Sequence, residues 1–276
     1  MKTLLVDAMN IFIRSYVVNP TMSDHGHQFG GALGFLKSVG SYSRRFNPDQ
    51  IIVIWEGGGS PRRKALLPEY KAGRKPIRLN RSEIYEDIPD SRENFNYQVA
   101  AATKLLSFTP IKQMYVSDCE ADDIIGYLSK HILNDEVIIA SSDKDFYQLL
   151  TDKVCMYSPT RKKMITVDDV LEEHQIHPEN FATARSFVGD NSDNIDGLRG
   201  VGLKTLAKRF PMLNNSEFVS IDDIISKCRD IPSSSRLKIH NSILEKNDLV
   251  KRNWKLMYLD ICNLSADHVK KIEERF

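Results

Sequence analysis

Four short apolar runs in this chain each break off on a carboxylate. The runs at 3–6, 50–55, 111–116 and 137–140 lead to Asp7, to Glu56, to Asp118 and Glu120, and to Asp143. Strand-length apolar runs without alternation read as strands buried on both faces. Between them, residues 29–46, 94–108 and 121–133 carry apolar residues at helical spacing. A repeated β-α-β order makes the sheet largely parallel, because parallel strands need crossover connections. The expected fold is α/β, a mostly parallel central sheet flanked by helices. In such sheets a site forms outside the carboxyl ends of the strands, where acids distant in sequence converge.

The acids at those ends are numerous. Besides Asp7, Glu56, Glu120 and Asp143, Asp122 and Asp123 open a helix, Asp145 follows Asp143 by two, and Asp190 and Asp193 stand three apart further on. Helix capping explains any one of them. It does not explain the set. Carboxylates that converge repel one another and resist joint ionisation unless a cation neutralises them. Oxygen-only ligands select hard ions, so Mg²⁺, with Mn²⁺ able to substitute, is the expected occupant.

Charge is balanced overall, with 38 Lys+Arg against 37 Asp+Glu, but segregated along the chain. Residues 61–81 hold eight basic residues against Glu69 alone, residues 116–196 seventeen acidic against seven basic, and residues 197–276 fifteen basic against ten acidic. Basic flanks around an acidic centre suit an enzyme of nucleic acids, the flanks holding phosphates and the centre metal. The four cysteines show no C-x-x-C pair and no histidine at zinc-finger spacing, which excludes a zinc finger and suits a reduced chain. No apolar run approaches membrane-spanning length, so the expected location is the cytoplasm, that of the host for a viral protein.

Gly57-Gly58-Gly59-Ser60-Pro61 interrupts the pattern, and periodicity returns only near residue 94, too late for an ordinary connection. An insertion over about 58–98 is therefore expected, headed by Arg62, Arg63 and Lys64, which should attract DNA phosphates. Tyr70 is placed to stack on an unpaired base. Lys71 and Arg74, three apart, share a face if helical and would clamp a reacting phosphate. Strand signals fade beyond about 178, which divides the chain into an α/β unit, 1–177, and a helical unit, 178–276, with helical patterns at 181–188, 203–210, 222–227 and 236–244. There Gly200-Val-Gly202 forms a tight turn before a helix bearing Lys204 and Lys208, an arrangement that binds backbone phosphate. It is no nucleotide-binding P-loop, since Lys204 comes one residue late and no strand precedes it. His25, His27, His174 and His177 lack any ligand motif and read as surface or capping residues.

LLVDAMN, the Y-K-A-G-R segment, C-E-A-D-D-I-I, S-S-D-K-D-F-Y-Q-L and G-D-N-S-D-N-I-D-G-L-R-G-V-G-L-K-T, in this order, resemble the structure-specific 5′ nuclease family over about residues 2–210. That family comprises flap endonucleases, bacteriophage 5′ to 3′ exonucleases and the 5′ nuclease domain of bacterial DNA polymerase I. The resemblance implies a PIN-like fold, a helical arch over the active site, and a helix-hairpin-helix element at about 190–210 that grips duplex backbone and often holds K⁺. It implies that Asp7, Glu120, Asp122, Asp123, Asp143, Asp145, Asp190 and Asp193 hold two metal ions, directly or through waters. Lys71 and Arg74 would be the basic pair of the arch. Gly200, Gly202 and Lys204 would belong to the hairpin element. Glu56 departs from the family's usual Asp.

The expected activity is metal-dependent 5′ to 3′ exonuclease and flap endonuclease cleavage near single-strand/duplex junctions, in replication or primer removal. Expected partners are DNA with 5′ flaps, nicks or free 5′ ends, and RNA-DNA hybrid, met by a monomer. A DNA-binding scaffold that has lost the chemistry is the alternative, supported by Glu56 alone. A PIN-class ribonuclease would leave the arch and hairpin unexplained.

Overall fold

The computed structural model describes residues 1–74, 77 and 92–276. Much of the expected arch, including Lys75, Arg78 and Arg81, lies outside the described residues. Six strands form one sheet: β1 (Lys2–Asp7), β2 (Gln50–Ile54), β3 (Lys112–Met114), β4 (Glu136–Ala140), β5 (Val154–Ser158) and β6 (Lys163–Ile165), in the order β3-β2-β1-β4-β5-β6. All neighbouring pairs are parallel except β5 with β6. The PIN-like α/β expectation therefore holds, with an antiparallel edge hairpin that the short runs 154–158 and 163–165 did not announce.

The chain leaves β1 towards β2 and β3, then returns to the other side of β1 for β4, so the strand order reverses at β1. A crevice opens where the connections diverge. Asp7 ends β1 in register with Ile54 of β2, and Val6 pairs with Ala140 of β4, so the acids following these strands emerge side by side.

Both faces of the sheet are covered. Leu4 and Val6 of β1 pack with α1 (Ala8–Val18), α2 (Gly30–Phe46) and α4 (Arg92–Leu106); Leu5 faces the opposite way, into a larger core. That core takes in α5 (Ala121–Tyr127), α6 (Val167–His174), α7 (Phe181–Val188), α8 (Leu203–Arg209), α9 (Ile221–Asp230) and α10 (Lys238–Glu245). α11 (Asn247–Met257) and α12 (Ala266–Arg275) complete it, and α3 (Pro61–Leu66) starts the insertion.

α1 was not evident from its sequence, because AMNIFIRSYVV is rich in β-branched and aromatic residues. Asp7 starts it by accepting from the Asn10 amide at 3.2 Å, and burial of Ile11, Phe12, Ser15 and Tyr16 on one stripe holds it. α2 lacks a cap of its own. Gln98, fully buried on α4, supplies one, its Oε1 accepting from the amides of Gly31 and Ala32 at 2.7 and 3.2 Å. The helix expected over 121–133 becomes a π-helical turn at Leu128–Ile132.

Gly57 closes the loop after β2 onto the loop after β3. Its amide donates to Cys119 O at 3.0 Å and its carbonyl accepts from the Asp118 amide at 2.8 Å. A Cβ there would lie 1.8 Å from the Val116 carbonyl oxygen. Because the obstacle is backbone, Gly57→Ala should cost more than about 2 kcal/mol in a denaturant titration, and a melt unchanged from wild type would refute that reading of the contact.

Candidate functional site

The acids at the strand ends meet in the crevice, and their environments divide them. Asp7 is 6% exposed; its Oδ1 caps α1 and its Oδ2 accepts from Ser141 Oγ at 2.8 Å. Burial, with Asp143 and Glu56 adding repulsion, pushes its pKa up to about 7. Asp143 caps the turn at Lys144–Leu149 by accepting from the Asp145 amide at 2.9 Å. Burial raises Asp143, as do the charges of Asp193 and Asp190. Asp145 reaches about 7, through burial first and Asp143 second. Asp122, in the first turn of α5, is raised well above its usual value by burial and by Asp143 and Asp7. Glu56 is also raised, by burial and by Glu120, with Lys71 opposing; its Oε2 lies 3.4 Å from the Ala121 amide. These mutual effects place Asp7, Glu56, Asp122, Asp143, Asp145, Asp190 and Asp193 around one opening.

Cations stand against the remaining charge. Lys71 Nζ is 3.0 Å from Glu120 Oε1, and Arg74 donates to Asp193 Oδ1 at 2.6 Å. Arg185, on α7, bridges Asp145 at 3.2 Å and Asp190 at 2.5 Å. Burial alone would raise Asp190, but Ser192 and Arg185 bring it below its usual value. Likewise Lys71 and Arg63 outweigh burial at Glu120 and lower it. Arg185 was missed in the sequence; its only signal there is a basic residue in the last turn of a helix that precedes an acid-rich loop.

Four sequence expectations are corrected. Arg63 does not face DNA: it is 2% exposed, bonded to Asp123 at 2.5 and 2.7 Å, to Glu120 at 2.9 Å and to the Leu256 carbonyl at 2.7 Å. Asp123 is correspondingly committed to Arg63 inside the core, where a buried charge needs its partner, and does not open to the crevice. Tyr70, 5% exposed, offers no face for stacking; its hydroxyl donates to Glu120 Oε2 at 3.0 Å. Nor do Lys71 and Arg74 share a helix face. Residues 68–73 form turns, and Lys71 has φ 59°, in the left-handed region. They meet the same acidic cluster from a loop instead.

The other expected DNA contacts are at the surface. Lys64 is exposed, whereas Arg62 donates to the Lys255 carbonyl at 3.2 Å and to Asn263. Gly200 has φ 77°, Gly202 starts α8, and Lys204 and Lys208 project from α8 into solvent. α7 and α8 flank the loop that carries Asp190, Asp193, Gly200 and Gly202. His177 caps the turn at Pro178–Asn180, as expected of a capping residue, but His174 is buried beside Tyr147 and Phe181.

Among the described residues no three acidic, histidine or cysteine side chains close on one point as a ready-made metal cage. The donor set nevertheless fits hard divalent ions: it is all oxygen, it carries protons that neutral pH would ordinarily remove, and an ion that keeps several waters does not need a tight cage. Asp7, Asp122, Asp143, Asp145, Asp190 and Asp193, with Glu56 and Glu120, are the residues that would hold them. All four cysteines are free. Among the described residues no helix is long and apolar enough to cross a membrane.

A family model described as 5′-3′ exonuclease, N-terminal resolvase-like domain, matches residues 2–175. The 5′-3′ exonuclease of Bacillus subtilis is 29% identical, the match covering 88% of this chain and 79% of the relative. T5 5′-exonuclease with bound zinc superposes with a TM-score of 0.79 at 26% identity, covering 99% of this chain and 97% of that one. The bacteriophage T5 flap endonuclease in a complex with DNA and metal ions gives 0.78 at 25% identity, over 99% and 97%.

The raised acids set a sign for pH. Folded Asp7 and Asp145 keep protons up to about pH 7 that the unfolded chain releases near 4, so metal-free stability falls as pH rises between those values. A divalent ion must displace these protons. The Mg²⁺-induced rise in Tm by scanning calorimetry should therefore grow from pH 5.5 to 7.5, and a rise independent of pH would contradict the assignment.

Proposed function

The chain belongs to the 5′-3′ exonuclease family, and from that premise we propose that it is a metal-dependent, structure-specific 5′ nuclease that hydrolyses DNA phosphodiester bonds near single-strand/duplex junctions, in replication or primer removal. One observation carries the reading. Seven carboxylates come together at a strand-order reversal, and burial and mutual repulsion raise the pKa of five of them, Asp7, Glu56, Asp122, Asp143 and Asp145, beside two basic side chains, Lys71 and Arg74, at the root of the insertion.

Two Mg²⁺ ions, with Mn²⁺ able to replace them, would when bound lower the pKa of the attacking water and stabilise the leaving 3′ oxygen. The chain's residues do the rest. Asp7, Asp122, Asp143, Asp145, Asp190 and Asp193, with Glu56 and Glu120, would hold the ions, and Arg185 fixes two of these acids in place. Glu120, held by Arg63 and Tyr70, keeps Lys71 at the crevice. Lys71 and Arg74 then offset charge developing on the scissile phosphate. Exposed Lys204 and Lys208, after the Gly200–Gly202 turn, bind duplex backbone as a helix-hairpin-helix element, where K⁺ would sit. The partners are DNA flaps, nicks and free 5′ ends, and RNA-DNA hybrid; the working form is a monomer in the cytoplasm. The residues 1–177 form the nuclease unit and 178–276 the duplex-gripping unit. Glu56 stands beside Glu120 and Lys71 in the same cluster, which supports the catalytic reading over a scaffold that has lost the chemistry.

On a 5′-labelled flap substrate in Mg²⁺, Asp143→Asn should reduce cleavage at least a thousandfold while flap binding by fluorescence anisotropy persists; cleavage at the wild-type rate would refute the site. Lys71→Ala should lower kcat roughly a hundredfold, the scale of one electrostatic donor, and change binding far less. The opposite split, with weakened binding and intact kcat, would make Lys71 a docking residue.

A further inference from the structure

The last carbonyls of a helix have no partner within it, and at the end of α11 side chains from elsewhere take them. Arg62 donates to Lys255 O at 3.2 Å and Arg63 to Leu256 O at 2.7 Å, both from the root of the insertion. The next carbonyl, that of Met257, accepts from Gln148 Nε2 at 3.0 Å. Gln148 lies in the turn that carries Asp145 and is 6% exposed. Its amide is fully used: Nε2 also donates to Asp145 O at 2.8 Å, and Oε1 accepts from the Leu259 amide at 2.8 Å.

One turn back on the same side of α11, Asn253 is fully buried. Its Nδ2 donates to Ser186 O at 3.0 Å and to Asp196 O at 2.7 Å, which occupies both hydrogens. Asp196 follows the loop of Asp190 and Asp193, and that loop is closed at its base by two bonds of 2.8 Å between the backbones of Asp190 and Ile195. Ser186 adjoins Arg185 on α7. Leu256, Met257 and Ile195 pack with Leu67 and Tyr70 of the insertion root in a small apolar cluster. α11 is therefore a strut to which the Asp143–Asp145 turn, the Asp190–Asp193 loop and the insertion root are all fastened. It lies outside residues 2–175, the part of the chain that the family model matches.

We propose that Gln148 and Asn253 are positioning residues of the metal site: through α11 they set the separation between the Asp143–Asp145 turn and the Asp190–Asp193 loop, so that carboxylates of both segments reach the cations together. Both act on main-chain atoms and touch neither ion nor substrate. Arg185 also joins Asp145 to Asp190, but through their carboxylates, for which an arriving cation competes. The bonds to α11 leave every carboxylate free. Outer partners that orient metal ligands are worth about ten- to a hundredfold in metal affinity or rate. The inference rests on the metal-dependent nuclease reading.

The test compares wild type with three variants. Gln148→Met keeps the length of the side chain and cannot donate; Asn253→Asp keeps the shape and turns a donor into an acceptor facing two carbonyls. Val250→Ala truncates a fully buried apolar side chain of the same helix and costs stability alone. Mg²⁺ uptake by the DNA-free protein is read by isothermal titration calorimetry, and kcat and KM on 5′-flapped duplex at saturating Mg²⁺, all below the lowest Tm. Gln148→Met and Asn253→Asp should each raise the Mg²⁺ Kd roughly tenfold and lower kcat by about the same factor, with KM changed less than about twofold. Val250→Ala should lower Tm and keep the wild-type Mg²⁺ Kd and kcat. Wild-type Mg²⁺ affinity and kcat in the polar variants overturn the inference, and so does an equal loss in Val250→Ala. Should one polar variant fail to fold, the other decides by the same readings. A wild-type protein that takes up no Mg²⁺ overturns the nuclease reading itself, whereas wild-type uptake that the polar variants share unchanged overturns only the positioning role.

Discussion

Repulsion between carboxylates at the ends of parallel strands is the constraint to which the rest of the molecule answers. Bringing Asp7, Asp122, Asp143 and Asp145 together out of bulk water costs free energy for every charge retained. The fold meets the cost in two ways. Some acids hold protons, as the raised pKa values of Asp7 and Asp145 record. Others keep their charge against a cation, Glu120 against Lys71 and Arg63 and Asp190 against Arg185; Asp193 is paired with Arg74. Neither device makes a stable resting state for all of them, and divalent cations would relieve the repulsion that remains.

Arg63 ties this electrostatics to the architecture. It is the bulkiest of the fully buried side chains, and it joins α3 at the root of the insertion to α5 through Glu120 and Asp123 and to the end of α11 through the Leu256 carbonyl. Removing one member of such a network leaves a charge buried and uncompensated. The insertion is thereby anchored to the acid whose other oxygen faces Lys71. A shift in either is felt by the other.

The two flanks of the crevice differ in kind. On the β2 side, Lys71 and Arg74 are drawn inward by acids. On the β5 side, Arg14 is bonded to hydroxyls and remains open to solvent. The cations at one edge are therefore engaged by acids, and the one at the other edge by a neutral hydroxyl.

The parallel sheet and the acids at its strand ends are legible in the sequence, because burial on both faces and the β-α-β period are local signals. The sequence also located the Gly200–Gly202 turn with its lysines. It left α1 and the β5–β6 hairpin unread: the first has strand-like composition and is a helix only through the Asp7 cap and its buried stripe, and the second is too short to show a period. What tertiary structure alone decided is which charges look inward. Arg63 and Lys64 are neighbours in one basic run, and Asp122 and Asp123 neighbours in one acidic pair. In each pair one member is buried in an ion pair while the other faces the crevice or solvent. A linear pattern cannot separate them, since the partner that buries each, Asp123 for Arg63, lies sixty residues away.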